Sequence, residues 1–148
     1  MICIEQFVKL DNLEQVITKK ALIDFLYTYL DRFRDDKSAI GKAIDYAFSE
    51  EPGKGGFVLL AMNKGVVEGA LVMNYTGMDE YIPENILVYI AVNSYRRGKG
   101  IGKSLIESAF KVTKGNIALH VEYDNPAKKL YERLGFSSKY AEMRWQRS

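Results

Sequence analysis

Hydrophobic residues in the first half of the chain follow two patterns, a helical spacing and then apolar runs. They return every three or four residues over 18–33 and again over 38–48, which predicts two amphipathic helices. Two apolar runs follow, over 57–62 and 66–75. The Asn-Lys-Gly sequence between them, residues 63–65, predicts a β-hairpin because Asn and Gly tolerate a positive φ. The first half is therefore expected to place two helices before an antiparallel strand pair.

Strands and helices alternate in the second half. The unbroken apolar run over 86–92 is typical of a central strand, and 101–113 then has the period of an amphipathic helix. Residues 117–123 alternate between apolar and polar, as a half-buried strand does. A last helix is expected from Asn125, a good N-cap residue that precedes a proline, to Gly135, a frequent C-terminal stop.

The two ends of the chain add strands to this order. A short mixed run over 1–10 is expected to form the first strand, and 136–146 to form one or two final strands. The chain then has the order β, α, α, β, β, β, α, β, α, followed by one or two further strands. That order implies a mixed sheet with helices on both faces.

The composition is that of one soluble domain. The chain has 148 residues, 47% of them apolar and 27% charged, with a net charge of +2, so we expect a single domain over 1–148. The small net charge argues against a nucleic-acid partner, and no apolar run approaches the ~20 residues of a membrane helix. One cysteine and one histidine are too few for a disulfide or a Cys/His metal site. A cytoplasmic protein without a metal is expected.

Positive charge is concentrated around a glycine-rich segment, residues 95–104 (YRRGKGIGKS), which follows the apolar run over 86–92. A helix N-terminus carries unpaired N–H groups and the positive end of the helix dipole. Glycines let such a backbone approach a ligand closely. The span 95–115 holds six Lys or Arg residues and one Glu. We interpret the segment as a site for a phosphorylated ligand.

Three phosphate motifs compete for this turn. A P-loop, G-x-x-x-x-G-K-[ST], would fit residues 102–104 but needs a glycine at the position of Arg97. A dinucleotide fingerprint, G-x-G-x-x-G, would start at Gly98 but needs a glycine at Lys103. The third pattern, R-x-x-G-x-G, matches residues 97–102 throughout. The third motif is therefore favoured.

That motif resembles the coenzyme A pyrophosphate loop of the GNAT superfamily of N-acetyltransferases. A second block supports the resemblance, because residues 125–136 are similar to the family's N-x-A-x-x-L-Y-x-x-x-G-F helix. The close match covers roughly residues 87–136. The resemblance implies a GNAT-like, mixed α+β fold. Its central sheet would be mixed but mostly antiparallel, with six to seven strands and helices on both faces.

The resemblance also implies a cofactor site for acetyl-CoA. Backbone N–H groups of the glycine turn would hold the pyrophosphate, and the strand end at 91–93 would contact the pantetheine arm. The N–H of Val92 would also polarise the thioester carbonyl. For Asn125, a cofactor contact and a role as helix N-cap are both open. The expected cofactor-binding residues are Ala91, Val92, Asn93, Arg97, Gly98, Lys99, Gly100, Ile101, Gly102, Lys103 and Asn125.

Two residues are candidates for the chemistry. By the resemblance, Tyr131 would donate a proton to the departing thiolate, although its spacing also fits the apolar stripe of its helix. Many family members carry a glutamate on the strand that corresponds to 86–92, and this run has no acid. Glu84 would share a face with the first residue of that strand, which makes it the candidate general base. A solvated loop acid or a water chain are the alternatives, with Glu122 and Tyr89 as lesser candidates.

The expected function is N-acetyl transfer, in which acetyl-CoA and a primary amine bind together and the amine attacks the thioester directly. Aromatic and acidic residues over 18–48 and 76–85 hint at a small cationic amine or a peptide amine as the acceptor. The alternative is a catalytically weak acyl-CoA sensor of the same fold, which the missing strand glutamate favours. A homodimer is compatible with the resemblance.

Overall fold

Five strands form one sheet, and five helices surround it, in a computed structural model that describes residues 1–148. In chain order the strands are β1 (Ile2–Phe7), β2 (Gly56–Asn63), β3 (Val66–Tyr75), β4 (Asn85–Val92) and β5 (Ile117–Leu119). The helices are α1 (Leu10–Leu13), α2 (Lys19–Tyr29), α3 (Lys37–Ala47), α4 (Ile101–Val112) and α5 (Ala127–Arg133), with 3₁₀ turns at Asp31–Phe33 and Ser94–Arg96. None of the helices is long and apolar enough to span a membrane.

The order of the strands in the sheet follows their order in the chain. Strands β1 to β4 pair antiparallel with their neighbours, and β5 joins β4 in parallel. The expected hairpin is formed by β2 and β3, and its turn places Lys64 and Gly65 at φ values of 52° and 80°. A mixed, mostly antiparallel sheet with helices on both faces confirms the expected fold class.

The sheet has five strands, so the expectation of six to seven was too high. Residues 136–146 form no strand, and β5 ends at Leu119 instead of continuing to residue 123. The large apolar side chains of the final segment are not buried, since Tyr140, Met143 and Trp145 are 82%, 91% and 76% exposed. Without burial of apolar surface, nothing offsets the conformational entropy that ordering a strand costs.

Alternation along β2 divides the core into two layers. Val58 and Leu60 face α2 and α3, whereas Phe57 and Leu59 face α4, because successive strand residues point to opposite sides. All four side chains are at most 1% exposed. Both faces of the sheet are therefore covered, which explains why β2 is one continuous apolar run.

Capping residues start the two long helices of the first layer. Thr18 Oγ1 accepts a hydrogen bond from the Ala21 N–H at 3.1 Å, and Asp36 Oδ1 accepts one from the Ala39 N–H at 2.9 Å. Each cap satisfies one of the unpaired N–H groups of its first helical turn. The two helices therefore begin at Lys19 and Lys37, each within one residue of the expected start.

A glycine in β3 brings α4 close to the sheet. A Cβ on Gly69 would lie 3.0 Å from Leu105 Cδ1 and 3.1 Å from Ile101 Cγ2. A larger residue would therefore push the first turns of α4 outward. Because Gly69 pairs with Val92, this contact holds the N-terminus of α4 beside the end of β4.

Candidate active site

Strands β4 and β5 separate at one end of the sheet. Their pairing joins Asn85–Leu87 to Ile117–Leu119, although β4 continues to Val92. From residue 88 to 92, β4 has no strand beside it on the β5 side. A free strand edge offers backbone donors and acceptors to an extended ligand. The gap coincides with the strand end that the sequence predicts to bind the pantetheine arm.

The N–H of Val92 points into this gap. In an antiparallel pair, successive residues turn their backbone polar groups alternately toward and away from the partner strand. Asn93 donates its N–H to the Glu68 carbonyl oxygen on β3 at 2.8 Å, so the preceding residue faces the other way. Val92 is thus a backbone donor at a free strand end, which is what polarisation of a bound carbonyl requires.

The glycine turn opens α4 with a run of unpaired N–H groups. Gly98 and Gly100 have φ values of 79° and 80°, and Gly100 is the N-cap residue of α4 without a side-chain capping bond. The first helical bond runs from the Ser104 N–H to the Gly100 carbonyl oxygen at 3.0 Å. The N–H groups of residues 101–103 consequently have no partner within the helix. Such a turn is a concave anion site.

The lysines of the turn are exposed, whereas its arginines are engaged. Lys99 and Lys103 form no salt bridge within the chain. Arg96 is paired with the carboxyl group of Glu68, with 3.3 Å between Nε and Oε1. Of the four cations that surround the turn, two are therefore free to meet a phosphate directly.

Arg97, the first residue of the motif, links three parts of the molecule. It donates from Nε to the Val92 carbonyl oxygen at 3.2 Å and from Nη2 to the Tyr29 carbonyl oxygen at 2.6 Å. These bonds join the glycine turn to the end of β4 and to the end of α2. Since a guanidinium carries five N–H donors, Arg97 retains donors for a phosphate.

Gly102 marks the place where the two sequence blocks meet. A Cβ on Gly102 would lie 3.6 Å from Leu130 Cδ2 on α5 and 3.8 Å from Val92 Cγ2 on β4. The glycine turn, the free end of β4 and the second block are thus neighbours in space. Asn125 precedes Pro126, the N-cap residue of α5, and its Oδ1 accepts a hydrogen bond from the Ala127 N–H at 2.9 Å, so its side chain supports the first turn of α5.

Tyr131 lies in the buried cluster beneath α4, immediately after Leu130. Its side chain is 8% exposed, and its ring packs edge-on against Phe136 with 6.0 Å between the centroids. Burial raises the pKa of the Tyr131 phenol to about 12. The phenol is therefore protonated at neutral pH, as a proton donor must be.

Glu84 does not lie at the end of β4 where the acyl group is expected. It precedes β4, and its Oε1 accepts a hydrogen bond from the Asn116 N–H at 3.2 Å. Eight strand steps of about 3.3 Å put it about 26 Å from Val92. Alternation indicates the face on which a strand residue lies, but not the end of the strand that the cofactor occupies. The structure thus places Glu84 away from the strand end at which we propose the acyl group binds.

The sequence-based candidates omit one charged side chain that lies near Val92, at the end of β4 where the acyl group is expected. Glu68 on β3 is 4% exposed, although it carries a carboxyl group. Its Oε1 contacts Arg96, and its Oε2 has no hydrogen-bond partner. The sequence does mark Glu68 in one way, because it is the one charged residue of the apolar run over 66–75. A charged residue in a strand can also face solvent, so this pattern alone does not identify a buried acid.

A second, partly buried contact joins β4 to the connection between α2 and α3. Tyr89 donates a hydrogen bond to Asp35 Oδ2 at 2.5 Å. Burial raises the pKa of the Tyr89 phenol, and the hydrogen bond to Asp35 raises it further. The phenol therefore keeps its proton at neutral pH, which argues against Tyr89 as the general base.

Comparison with known proteins places this architecture in a family. The family model of the acetyltransferase (GNAT) domain matches residues 53–138, more than half of the chain. A search among curated proteins finds no match. Among solved structures, a possible acetyltransferase from Clostridium difficile 630 is 19% identical with a TM-score of 0.68, covering 100% of this chain and 98% of that chain.

Two further structures carry names that state an acceptor. The aminoglycoside N-acetyltransferase AAC(6')-Iy, in complex with CoA, is 19% identical with a TM-score of 0.66, covering 99% of this chain and 95% of that chain. A ribosomal-protein-alanine N-acetyltransferase from Brucella melitensis biovar Abortus 2308 is 17% identical with a TM-score of 0.65, covering 99% of both chains. At these identities, the likeness shows a shared fold.

The family match covers the split sheet, the glycine turn and the second block together, and the chain belongs to the GNAT family of acetyltransferases. The matched part of the chain is an acetyltransferase domain.

Proposed function

We propose that this protein transfers the acetyl group of acetyl-CoA to a primary amine while both substrates are bound. The observation that carries the proposal is the free Val92 N–H at the open end of β4, beside the glycine turn. A thioester held there has its carbonyl oxygen next to a backbone donor, and its phosphates next to the N-terminus of α4.

The cofactor binds along the open edge of β4. The pyrophosphate lies on the N–H groups of residues 98–102, with Lys99 and Lys103 supplying charge. The pantetheine amides bond to the strand end at residues 91–93 in the manner of an added strand. The side-chain amide nitrogen of Asn125 reaches the same arm while its oxygen caps α5.

Tyr131 protonates the thiolate that leaves when the C–S bond breaks. With a phenol pKa of about 12 and a free thiol pKa of about 8.5, this transfer costs about 5 kcal/mol if the thiolate is fully solvated. The thiolate forms in the same buried surroundings, which raise the pKa of a thiol as well. The cost is therefore reduced where the two groups share one pocket.

The acetyl group passes directly to the amine, without an acetyl-cysteine intermediate. Cys3 is the one cysteine of the chain, and it is exposed on β1. Strand β1 lies at the edge of the sheet opposite β5, with β2 and β3 between it and β4. A cysteine at that position does not reach a thioester at Val92.

The acceptor approaches from the layer of α2 and α3. The Tyr89–Asp35 bond and the Arg97–Tyr29 bond hold this layer to β4 beside the proposed acyl site. The structural neighbours are named for an aminoglycoside and for a ribosomal-protein alanine, which are a small-molecule amine and a peptide amine. We therefore propose an amine of one of these two classes as the acceptor.

An amine panel with acetyl-CoA tests the proposal through thiol release. The panel contains aminoglycosides, polyamines, simple alkylamines and a peptide with an N-terminal alanine. We expect at least one amine to release thiol above the hydrolysis background and to yield an N-acetylated product by mass spectrometry. Initial-rate plots should intersect, as they do for a ternary complex, whereas parallel plots would indicate a covalent intermediate. Acetyl-CoA binding without thiol release for any amine would support the sensor alternative instead.

A further inference from the structure

We infer that Glu68 receives the acceptor's ammonium group on its Oε2 and takes its proton, which makes it the general base of the reaction. The inference rests on the proposed function and deepens it, because it assigns the acceptor to the class of cationic primary amines.

The first observation is a buried carboxyl group that is only partly satisfied. The side chain of Glu68 is 5% exposed, and one ion pair to Arg96 is its only partner. Oε2 has no accessible surface and no hydrogen-bond partner. A carboxylate has about four acceptor positions, and leaving them unmet in a buried site is costly. An ammonium group is the kind of partner that satisfies such an oxygen.

The second observation is the position of Glu68 beside the acyl end of β4. Its carbonyl oxygen accepts from the Asn93 N–H at 2.8 Å, and the next residue of β3 pairs with Val92. Paired strands lie about 4.8 Å apart. The carboxyl group of Glu68 therefore lies within side-chain reach of the point where the thioester carbonyl is proposed to bind.

A β-bulge lies at Glu68. Ala61 pairs with Gly69 and Met62 with Val67, so Glu68 is the extra residue of β3 and has no partner on β2. Val67 packs against the layer of α2 and α3, whereas Gly69 faces α4, so Glu68 lies where the regular alternation of β3 is interrupted. Bulges re-aim side chains and are frequent beside active sites. The Glu68 carboxyl group is accordingly directed at Arg96, on the turn that follows β4.

Arg96 connects the carboxyl group with the cofactor. It lies on the 3₁₀ turn just before Gly98, and its side chain is 45% exposed. Its distance of 3.3 Å to Oε1 is longer than the 2.7–2.9 Å of a strong charge-assisted bond. A pyrophosphate on the glycine turn competes for this guanidinium. Binding of acetyl-CoA first would draw Arg96 away from Oε1 and leave the carboxyl group to the amine.

The proton balance closes with these groups. Glu68 takes one proton from the ammonium, which frees the lone pair on nitrogen. The nitrogen bonds to the thioester carbon, the C–S bond breaks, and Tyr131 gives its proton to the thiolate. The nitrogen then returns its second proton to the Tyr131 phenolate as the amide forms. Glu68 finally releases its proton to water.

The test compares Glu68→Gln with the wild type on two isosteric acceptors, n-butylamine and O-propylhydroxylamine. At neutral pH the first is an ammonium and needs a base, whereas the second is already a neutral amine. We expect kcat/KM for n-butylamine to fall about 100-fold or more, and to change less than about tenfold for O-propylhydroxylamine. The Kd for acetyl-CoA should stay within about twofold. Glu5→Gln, the same change at an exposed strand position, is the control.

Equal losses with both acceptors, or a loss that tracks weaker acetyl-CoA binding, would reduce Glu68 to a structural partner of Arg96 and overturn the inference. Full activity of Glu68→Gln would overturn it as well. Glu68→Asp keeps a carboxylate and should restore part of the n-butylamine activity, and circular dichroism establishes that both variants fold.

A binding measurement tests the role of Glu68 independently of the proposed function. If the wild type releases no thiol with either amine, the proposed function loses its support, but Glu68 can still be tested by calorimetry on the protein saturated with coenzyme A. The wild type should bind n-butylamine at least tenfold more tightly than n-butanol, and Glu68→Gln should not distinguish them. No preference in the wild type would overturn the inference.

Discussion

The two sides of β4 are built by different means. On the cofactor side, the proposed contacts are backbone N–H groups, made available by the end of β5 pairing and by positive φ at Gly98 and Gly100. On the proposed acceptor side, the contacts are side chains from separate elements: the buried Glu68 of β3 and Tyr89 of β4, and the exposed Asp35 of the α2–α3 connection. The N–H groups that would bind the cofactor belong to one short segment of the chain. The side chains on the acceptor side come together only when distant segments pack against each other.

Arg97 belongs to both sides. It is the first residue of the cofactor motif, and it also holds the Tyr29 carbonyl at the end of α2. The two sides are therefore mechanically joined at one guanidinium. Variants that affect the cofactor side, the acceptor side or both test whether the two sides of β4 act independently.

The largest effect is expected for Gly100→Asp. A carboxylate would lie in the phosphate site, and an ordinary side chain would have to adopt a φ of 80°. We expect the Kd for acetyl-CoA, measured by calorimetry, to rise at least about 100-fold. Gly65→Asp is the matched control, because Gly65 also has a φ of 80° and open space around its Cα. Equal loss of affinity in both variants would show that strain, rather than the anion site, is responsible.

Tyr131→Phe should slow the reaction without weakening the binding of acetyl-CoA. The variant keeps the packing against Phe136 but removes the proposed proton donor. We expect kcat to fall about 100-fold with an unchanged Kd for acetyl-CoA, measured by stopped-flow thiol release and calorimetry. Tyr140→Phe, at an exposed tyrosine, is the control. If Tyr131→Phe turns over like the wild type, Tyr131 is a core residue only.

Arg97→Gln should weaken both sides at once. It removes two hydrogen bonds to backbone carbonyls, and because the side chain is largely exposed we expect a loss of about 1 kcal/mol in the free energy of unfolding. The Kd for acetyl-CoA and the KM for the acceptor should each rise several-fold. Denaturant unfolding and steady-state kinetics measure these effects, with Arg147→Gln as an exposed control. An effect on acetyl-CoA alone would place Arg97 on the cofactor side only.

The smallest effect is expected from alkaline pH. A general acid must be protonated, so its contribution is present below its pKa and is lost as the pH rises through it. Because burial raises the pKa of Tyr131 to about 12, kcat should not decline up to about pH 10. A decline near pH 9–10 that disappears in Tyr131→Phe would mean that the phenol is less buried in the working enzyme.

The features on which the proposed cofactor site rests are local ones. The order of glycines at 98–102, the Asn-Pro pair before the last helix and the apolar run over 86–92 are each contained in one short segment. The structure brings these segments together, as the contact of Gly102 with Leu130 and Val92 shows. Each feature is set by the conformational preference or the period of neighbouring residues, so the sequence is enough to find it.

What the sequence did not predict has a common physical origin. The spacing of Glu84 gave no sign that its carboxyl group accepts from the Asn116 N–H beside β5, and one acid in an apolar run, Glu68, does not indicate whether it is buried. The strands expected over 136–146 also failed, since a strand depends on a partner and on buried surface that the segment itself does not contain.

The sequence by itself determined the class of this protein: two motifs in the right order indicated a GNAT acetyltransferase, which the family match confirms, because each motif consists of residues close together in the chain. Only the tertiary structure decided where β4 and β5 part, and that Glu68 is buried beside the end of β4. Strand pairing, the β-bulge and burial depend on contacts between residues far apart in the chain, and those contacts exist only once the sheet has formed.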